Sequence, residues 1–246
     1  MNFEDYLRKA VARVKEDARK KQENGDLNYF INLCRTGVKK NWESLDRTKF
    51  FETYHRCIAA SGKKVSTLMK YLEGQATLFR HLNPSLIKRD RREIRREHRR
   101  TPCYLSPRMV EAMIKTATLI MARPWPAFKA EYLLLPKNAE TESLDDWRPA
   151  RAALKRLPMV GDANGWYLIR NLYGARVMKP DVWIMRIAKR FFPHAKSPPD
   201  ALAEAVRRSW NRVCPNEPVH LGKVDYILWW YSQATGYPRT KVQVTC

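Results

Sequence analysis

Residues 154–173 read LKRLPMVGDANGWYLIRNLY, two helical stretches around a turn marked by proline and glycine. Leu154 and Leu157 end the apolar face of one helix. Pro158-Met159-Val160-Gly161 leaves room only for a tight turn, with Val160 pointing inward. Asp162 and Asn164 can cap a second helix, whose apolar face takes in Trp166, Leu168, Ile169 and Leu172. Two helices joined by so short a turn leave the amides at the second helix's start facing outward. Such amides hold a phosphate without charged side chains. Gly161 lets a ligand's backbone come close and tolerates positive φ.

The chain outward from this hairpin reads as helices throughout. Phe3, Tyr6, Leu7, Ala10, Val11 and Val14 recur at three-and-four spacing and predict a helix over 3–23, stopped near Gly25. A short helix is expected over 27–40. Trp42, Leu45, Phe50, Phe51, Tyr54 and Ile58 follow at helical spacing up to Ser61-Gly62, and a further helix runs from Val65 to Leu82. Met109–Met121 is a helix closed by Arg123-Pro124-Trp125-Pro126. Segment 136–149, with Glu140, Glu142, Asp145 and Asp146, reads as a loop of solvated acids. Three helices are expected within 150–192, and two more over 200–213 and 221–235. No segment reads as a strand, so the expected fold class is all-α.

The 246 residues hold 47 Lys and Arg against 25 Asp and Glu, a formal charge of +22. With 44% hydrophobic residues the chain builds a core, so it is not a disordered polycation. The surplus charge, interleaved with Trp, Tyr and Phe, suits phosphates and unstacked bases better than a bilayer. The densest run is KRDRREIRREHRR at 88–100, with eight Lys and Arg and three acids. On one helix its basic positions surround most of the circumference, with only Ile94 fit for burial. Arg92 and Arg96 are its expected phosphate contacts. No Gly-rich phosphate cradle is present, and no apolar run approaches the length of a membrane span. The five cysteines are odd in number and widely spaced, and no two histidines stand at i,i+4. No C-x-x-C zinc site and no tightly spaced iron–sulfur loop is therefore expected. Free thiols and an N-terminus without a secretory pattern fit a cytoplasmic setting.

Leu157-Pro158-x-Val160-Gly161 resembles the hairpin of the helix–hairpin–helix DNA glycosylases, the endonuclease III superfamily. Lys179-Pro180-Asp181-Val182-Trp183 resembles the segment that supplies that family's catalytic aspartate, and Val224-Asp225-x-x-Leu228-Trp229 its late helix. The resemblance covers roughly 45–235 and is specific over 154–192. It implies two helical lobes, one spanning 41–172 and ending in the hairpin, the other combining 1–40 with 173–246. The catalytic cleft would lie between them. It also implies a glycosylase that flips out a modified, damaged or mismatched base of double-stranded DNA and cuts its N-glycosidic bond, with Asp181 as the carboxylate. The family's imine-forming lysine is Ala163 here, so the expected product is an abasic site without strand scission, unless Lys155, Lys179, Lys63 or Lys64 substitutes. Met159 stands where the family has a glycine, and Trp183 where it has a histidine.

The DNA contacts expected from this alignment are Pro158, Met159, Val160, Gly161 and Ala163 by backbone, with Lys155, Arg156, Lys179 and Arg186 on phosphates. Trp183, Trp166, Tyr167, Trp42 and Tyr54 are the candidates for stacking on the flipped base. The resemblance further implies a monovalent cation on the carbonyls of Leu157, Met159 and Val160, no iron–sulfur cluster, and a monomer. Two alternatives stand beside it: a non-catalytic helix–hairpin–helix DNA-binding protein with Asp181 as a mere cap, and a basic RNA-binding protein dominated by 88–100. A 181 side chain buried in a salt bridge, or lying more than a nucleotide's width from any groove beside the turn, would overturn the enzyme reading.

Overall fold

In the computed structural model the described residues are 1–23, 29–37, 42, 44–61, 65–100 and 103–236. Among them there are thirteen α-helices and no strand. The chain divides into two compact units: 1–39 with 140–142 and 174–246, and 40–139 with 143–173.

The first unit contains α1 (Phe3–Glu23), α2 (Tyr29–Thr36), α11 (Val182–Phe191), α12 (Pro198–Val213) and α13 (Leu221–Thr235). Its core is the stripe read from the sequence: Phe3, Tyr6, Leu7, Ala10, Val11 and Val14 are buried on α1. This face meets α2, α12 and α13. Each fully buried side chain of this size contributes about 1.5–3 kcal/mol against chain entropy. Polar tips on the stripe find partners, Tyr6 Oη with Ser232 Oγ at 2.9 Å and Asp17 with the Trp230 indole N–H at 2.8 Å. Glu142 belongs to this unit and pairs with Arg207 at 2.9 Å, so it is an ion-pair partner and not a solvated loop acid.

The second unit contains α3 (Arg47–Ala59), α4 (Val65–Leu78), α5 (Pro84–Arg89), α6 (Arg91–His98), α7 (Pro107–Met121), α8 (Trp125–Tyr132), α9 (Arg148–Leu154) and α10 (Asp162–Tyr173). Helix α3 is its centre, packed on α7 and α10 with Phe50, Phe51, Tyr54 and Ile58 buried. Several expectations need correction. Trp42 and Leu45 precede α3, because Asp46 accepts the Lys49 N–H at 2.8 Å and starts the helix after them. The helix expected to reach Leu82 stops at Leu78, and Arg80, His81 and Leu82 form a left-handed turn with φ of 52°, 53° and 60°. Segment 88–100 is two helices broken at Asp90. Helix α8 was missed because Pro124 and Pro126 read as a stop; proline in a first turn costs no hydrogen bond, and α8 begins there.

Candidate functional site

The turn between α9 and α10 is built from backbone constraints. The Val160 N–H donates to Leu157 C=O at 3.2 Å, and Leu157 and Val160 are buried. The left-handed residue is Met159, at φ 58°, the position where the resembled hairpin carries glycine. Gly161 tolerates positive φ but does not adopt it. A methyl added at Gly161 meets nothing within 4 Å among the described residues, so no contact among them requires a glycine there. The first bond of α10 runs from Gly165 N–H to Gly161 C=O at 2.8 Å, so the amides of Asp162, Ala163 and Asn164 come before the ladder.

Three side chains hold the turn from behind, and the sequence assigned none of them that role. Tyr54, expected in a base pocket, is fully buried and donates its hydroxyl to Pro158 C=O at 2.7 Å. Asn164 was expected to cap α10; instead it donates to Met159 C=O at 3.0 Å and to Ser61 Oγ at 3.1 Å. Arg151 crosses Gly165 closely enough that a Cβ there would lie 2.9 Å from its Cγ, and its guanidinium lies over Trp166 at 5.1 Å. That ring is buried, which removes Trp166 from the stacking candidates. Nothing in the spacing of Tyr54 or Arg151 marks them, since their partners lie far off in sequence or are backbone atoms.

The turn's electrostatics are mixed. Asp162 is exposed and caps nothing; it pairs with Lys155 at 2.7 Å, with Arg151 at 3.6 Å. The Lys155 hydrogen bond leads in holding its carboxyl below the usual carboxylate range. Arg156 is paired with Glu131 and lies over the Tyr132 ring at 4.8 Å, so it is less available to phosphate than expected. Of the carbonyls suggested for a cation, Leu157 C=O already accepts from Val160 and Met159 C=O from Asn164. Among the described residues no group of three His, Cys, Asp or Glu side chains is arranged to hold a metal.

The same unit carries a cationic stripe. Arg80 gathers the acids of 88–100, reaching Asp90 at 3.0 Å, Glu93 at 3.0 Å and Glu97 at 2.8 Å. Arg95 pairs with Glu111 at 2.5 Å, and Ile94 is fully buried. Arg92, Arg96, Arg99 and Arg100 are exposed, with 92 and 96 and then 96 and 100 four apart and 96 and 99 three apart, so they share one side of α6 and its last turn, and Arg91 is exposed beside them. Basic residues therefore occupy one face, not most of the circumference. Trp42 is half-buried in this unit, beside Tyr173 at 4.8 Å and with the Lys129 ammonium 4.2 Å from its ring centre. Tyr167 is also half-buried, while Lys63 and Lys64 lie outside the described residues.

Asp181 lies in the first unit. Its Oδ1 accepts the N–H groups of Trp183 at 2.9 Å and Ile184 at 3.0 Å, capping α11. Its Oδ2 receives the Lys179 ammonium at 2.8 Å, and the side chain is only 9% exposed. Asp181, expected as the catalytic carboxylate, is therefore a buried cap in an ion pair, the arrangement named above as contrary to the enzyme reading. Lys179, expected on a phosphate, is its partner. Trp183 is half-buried under the Arg186 guanidinium, 5.0 Å from its ring centre. Comparison of the chain with protein families, curated proteins and solved structures finds no match.

Proposed function

We propose that this protein grips duplex DNA by the 158–161 turn of a helix–hairpin–helix, and that Asp181 serves as the cap of α11. The observation that carries duplex binding is the turn itself. Met159 takes the backbone angle of a hairpin glycine, and Gly161 is exposed at the start of α10 with no internal contact requiring it. A glycine with no inward reason fits an outward one, close approach by a phosphate. The Arg92–Arg100 stripe adds a second run of phosphate-seeking cations.

Excision of a modified, damaged or mismatched base by N-glycosidic hydrolysis, with Asp181 as the carboxylate, is the second reading and rests on less: the separation of Asp181 from the turn in sequence and its place at the head of α11. A base leaving its sugar builds positive charge at C1′. An ionised carboxylate nearby stabilises that charge while water completes the displacement. Both cap bonds fall on Oδ1, so Oδ2 is the atom for this role, and Lys179 must first leave it. A phosphate competing for the ammonium supplies a route, because Lys is a point charge on a flexible stem. With Ala163 in the lysine position the product is an abasic site.

The ion pair itself favours the first reading, a DNA-binding protein in which Asp181 only caps α11. One experiment separates the two. The protein is incubated with duplexes bearing a panel of modified and mismatched bases, then treated with hot alkali. Strand breaks that vanish in Asp181→Asn, with duplex affinity kept within threefold, establish the enzyme. No break from any duplex, with binding intact, establishes the first reading. A protein–DNA adduct trapped by borohydride would overturn hydrolysis without an imine.

A further inference from the structure

The first unit contains a cavity of about 300 Å³ walled by α1, α2, α13 and the end of α12. None of the residues assigned above to DNA lines it. Its floor is apolar, with Val14, Trp210 and Ile227 all nearly or fully buried. Its polar lining is one-sided: Lys15, Arg35 and Lys223 against the single carboxylate of Glu217. Glu217 is already paired with Lys223. Lys15 and Arg35 are exposed and have no ion pair among the described residues. Cations brought from separate helices to one half-enclosed space repel each other unless an anion joins them. A volume of this size is at the lower end for ligand pockets, room for a ring but not for a dinucleotide.

We propose that this cavity binds a small organic oxyanion, an apolar body of ring size carrying one phosphate or carboxylate, with the head group on Arg35 and Lys15 and the body against Trp210 and Ile227. The body supplies affinity by leaving water, and the two cations orient it. A DNA phosphate offers the same head group without the body, so the body is what the test must detect.

Calorimetric titration of the full chain with phenyl phosphate, benzoate and inorganic phosphate, at matched ionic strength, is the test. The expected result is that at least one ring-bearing anion binds at least tenfold more tightly than inorganic phosphate. Lys15→Ala/Arg35→Ala then loses at least tenfold. Lys115→Ala/Lys137→Ala, which removes the same charge from exposed sites elsewhere, stays within twofold. Equal losses in the two variants, equal binding of inorganic phosphate, or no binding overturns the proposal. So does displacement of phenyl phosphate by a duplex at equal phosphate concentration, which assigns the cations to the DNA backbone.

Discussion

Met159 shows how one residue can carry a backbone demand it does not suit. A side chain in the left-handed region costs roughly 1–2 kcal/mol, and most of that cost falls on Cβ. Met159→Gly removes the strain but adds unfolded-chain entropy and gives up a half-buried side chain. Its stability is expected within about 1 kcal/mol of the parent. Met159→Val places a branched Cβ in the same region and is expected to lose about 1–2 kcal/mol more than the glycine variant. Urea denaturation of the two variants measures the gap, and equal stabilities would show that φ at 159 is not positive in solution.

His55 makes the second prediction at this scale. It is buried in α3 with both ring nitrogens lacking a hydrogen-bond partner; Gln75 lies near the ring, but its amide donates to Cys103 C=O at 2.7 Å. Burial, with the Arg56 charge behind it, pushes the imidazole down from 6.5 to about 4. The unfolded chain therefore takes up a proton between pH 6.5 and 4 that the folded chain refuses. Stability from this group is complete above pH 6.5 and falls by about 3 kcal/mol as pH drops to 4. His55→Leu should flatten that window in melts taken against pH, and an unchanged slope would remove His55 as its source.

Helix α6 is decided by a residue outside it. Arg80, in the left-handed turn, collects three carboxylates from one side of the segment and leaves the other side purely cationic. Arg80→Ala is expected to cost about 1–2 kcal/mol, at the low end because the acids are partly exposed. The dependence on acid has a defined sign. Hydrogen bonds from Arg89 and then Arg80 hold the Asp90 carboxyl down from 3.8 to about 2. The Arg80–Asp90 arm of the clamp is whole above pH 4 and fails as pH falls towards 2. The difference between parent and Arg80→Ala in denaturation midpoint should shrink over that window; a constant difference would mean that the clamp is not ionic. The opposite face makes a separate prediction. Converting Arg92, Arg96, Arg99 and Arg100 to Ala should reduce the slope of log affinity for duplex against log salt by about 3–4, if each meets one phosphate. An unchanged slope takes α6 off the DNA.

For the whole molecule, the charge of +22 sets how binding responds to salt, whichever base or sequence is preferred. Affinity for an unmodified duplex is expected to fall at least a thousandfold between 50 and 200 mM salt, as for about six phosphate contacts or more. A fluorescence-anisotropy titration measures this, and a fall under tenfold would mean that the surplus charge serves something other than nucleic acid.

Much was legible in advance. The α1 stripe, the turn at 158–161, the inward Val160 and the helical class follow from three-and-four spacing and from proline and glycine placement, which act over a few residues. By itself the sequence determined the helices, the tight turn and the charge. The tertiary structure alone decided that Tyr54 holds the turn, that Lys179 covers Asp181, that Glu142 pairs with Arg207, and that the acids of 88–100 face Arg80. Helical periodicity fixes which residues share a face, but the partner for that face comes from other stretches of chain brought near by packing. For 179 and 181, close in sequence, a tight turn in which Asp181 N–H donates to Lys179 C=O at 2.8 Å brings the two charges together, and the burial of Asp181 keeps water from parting them.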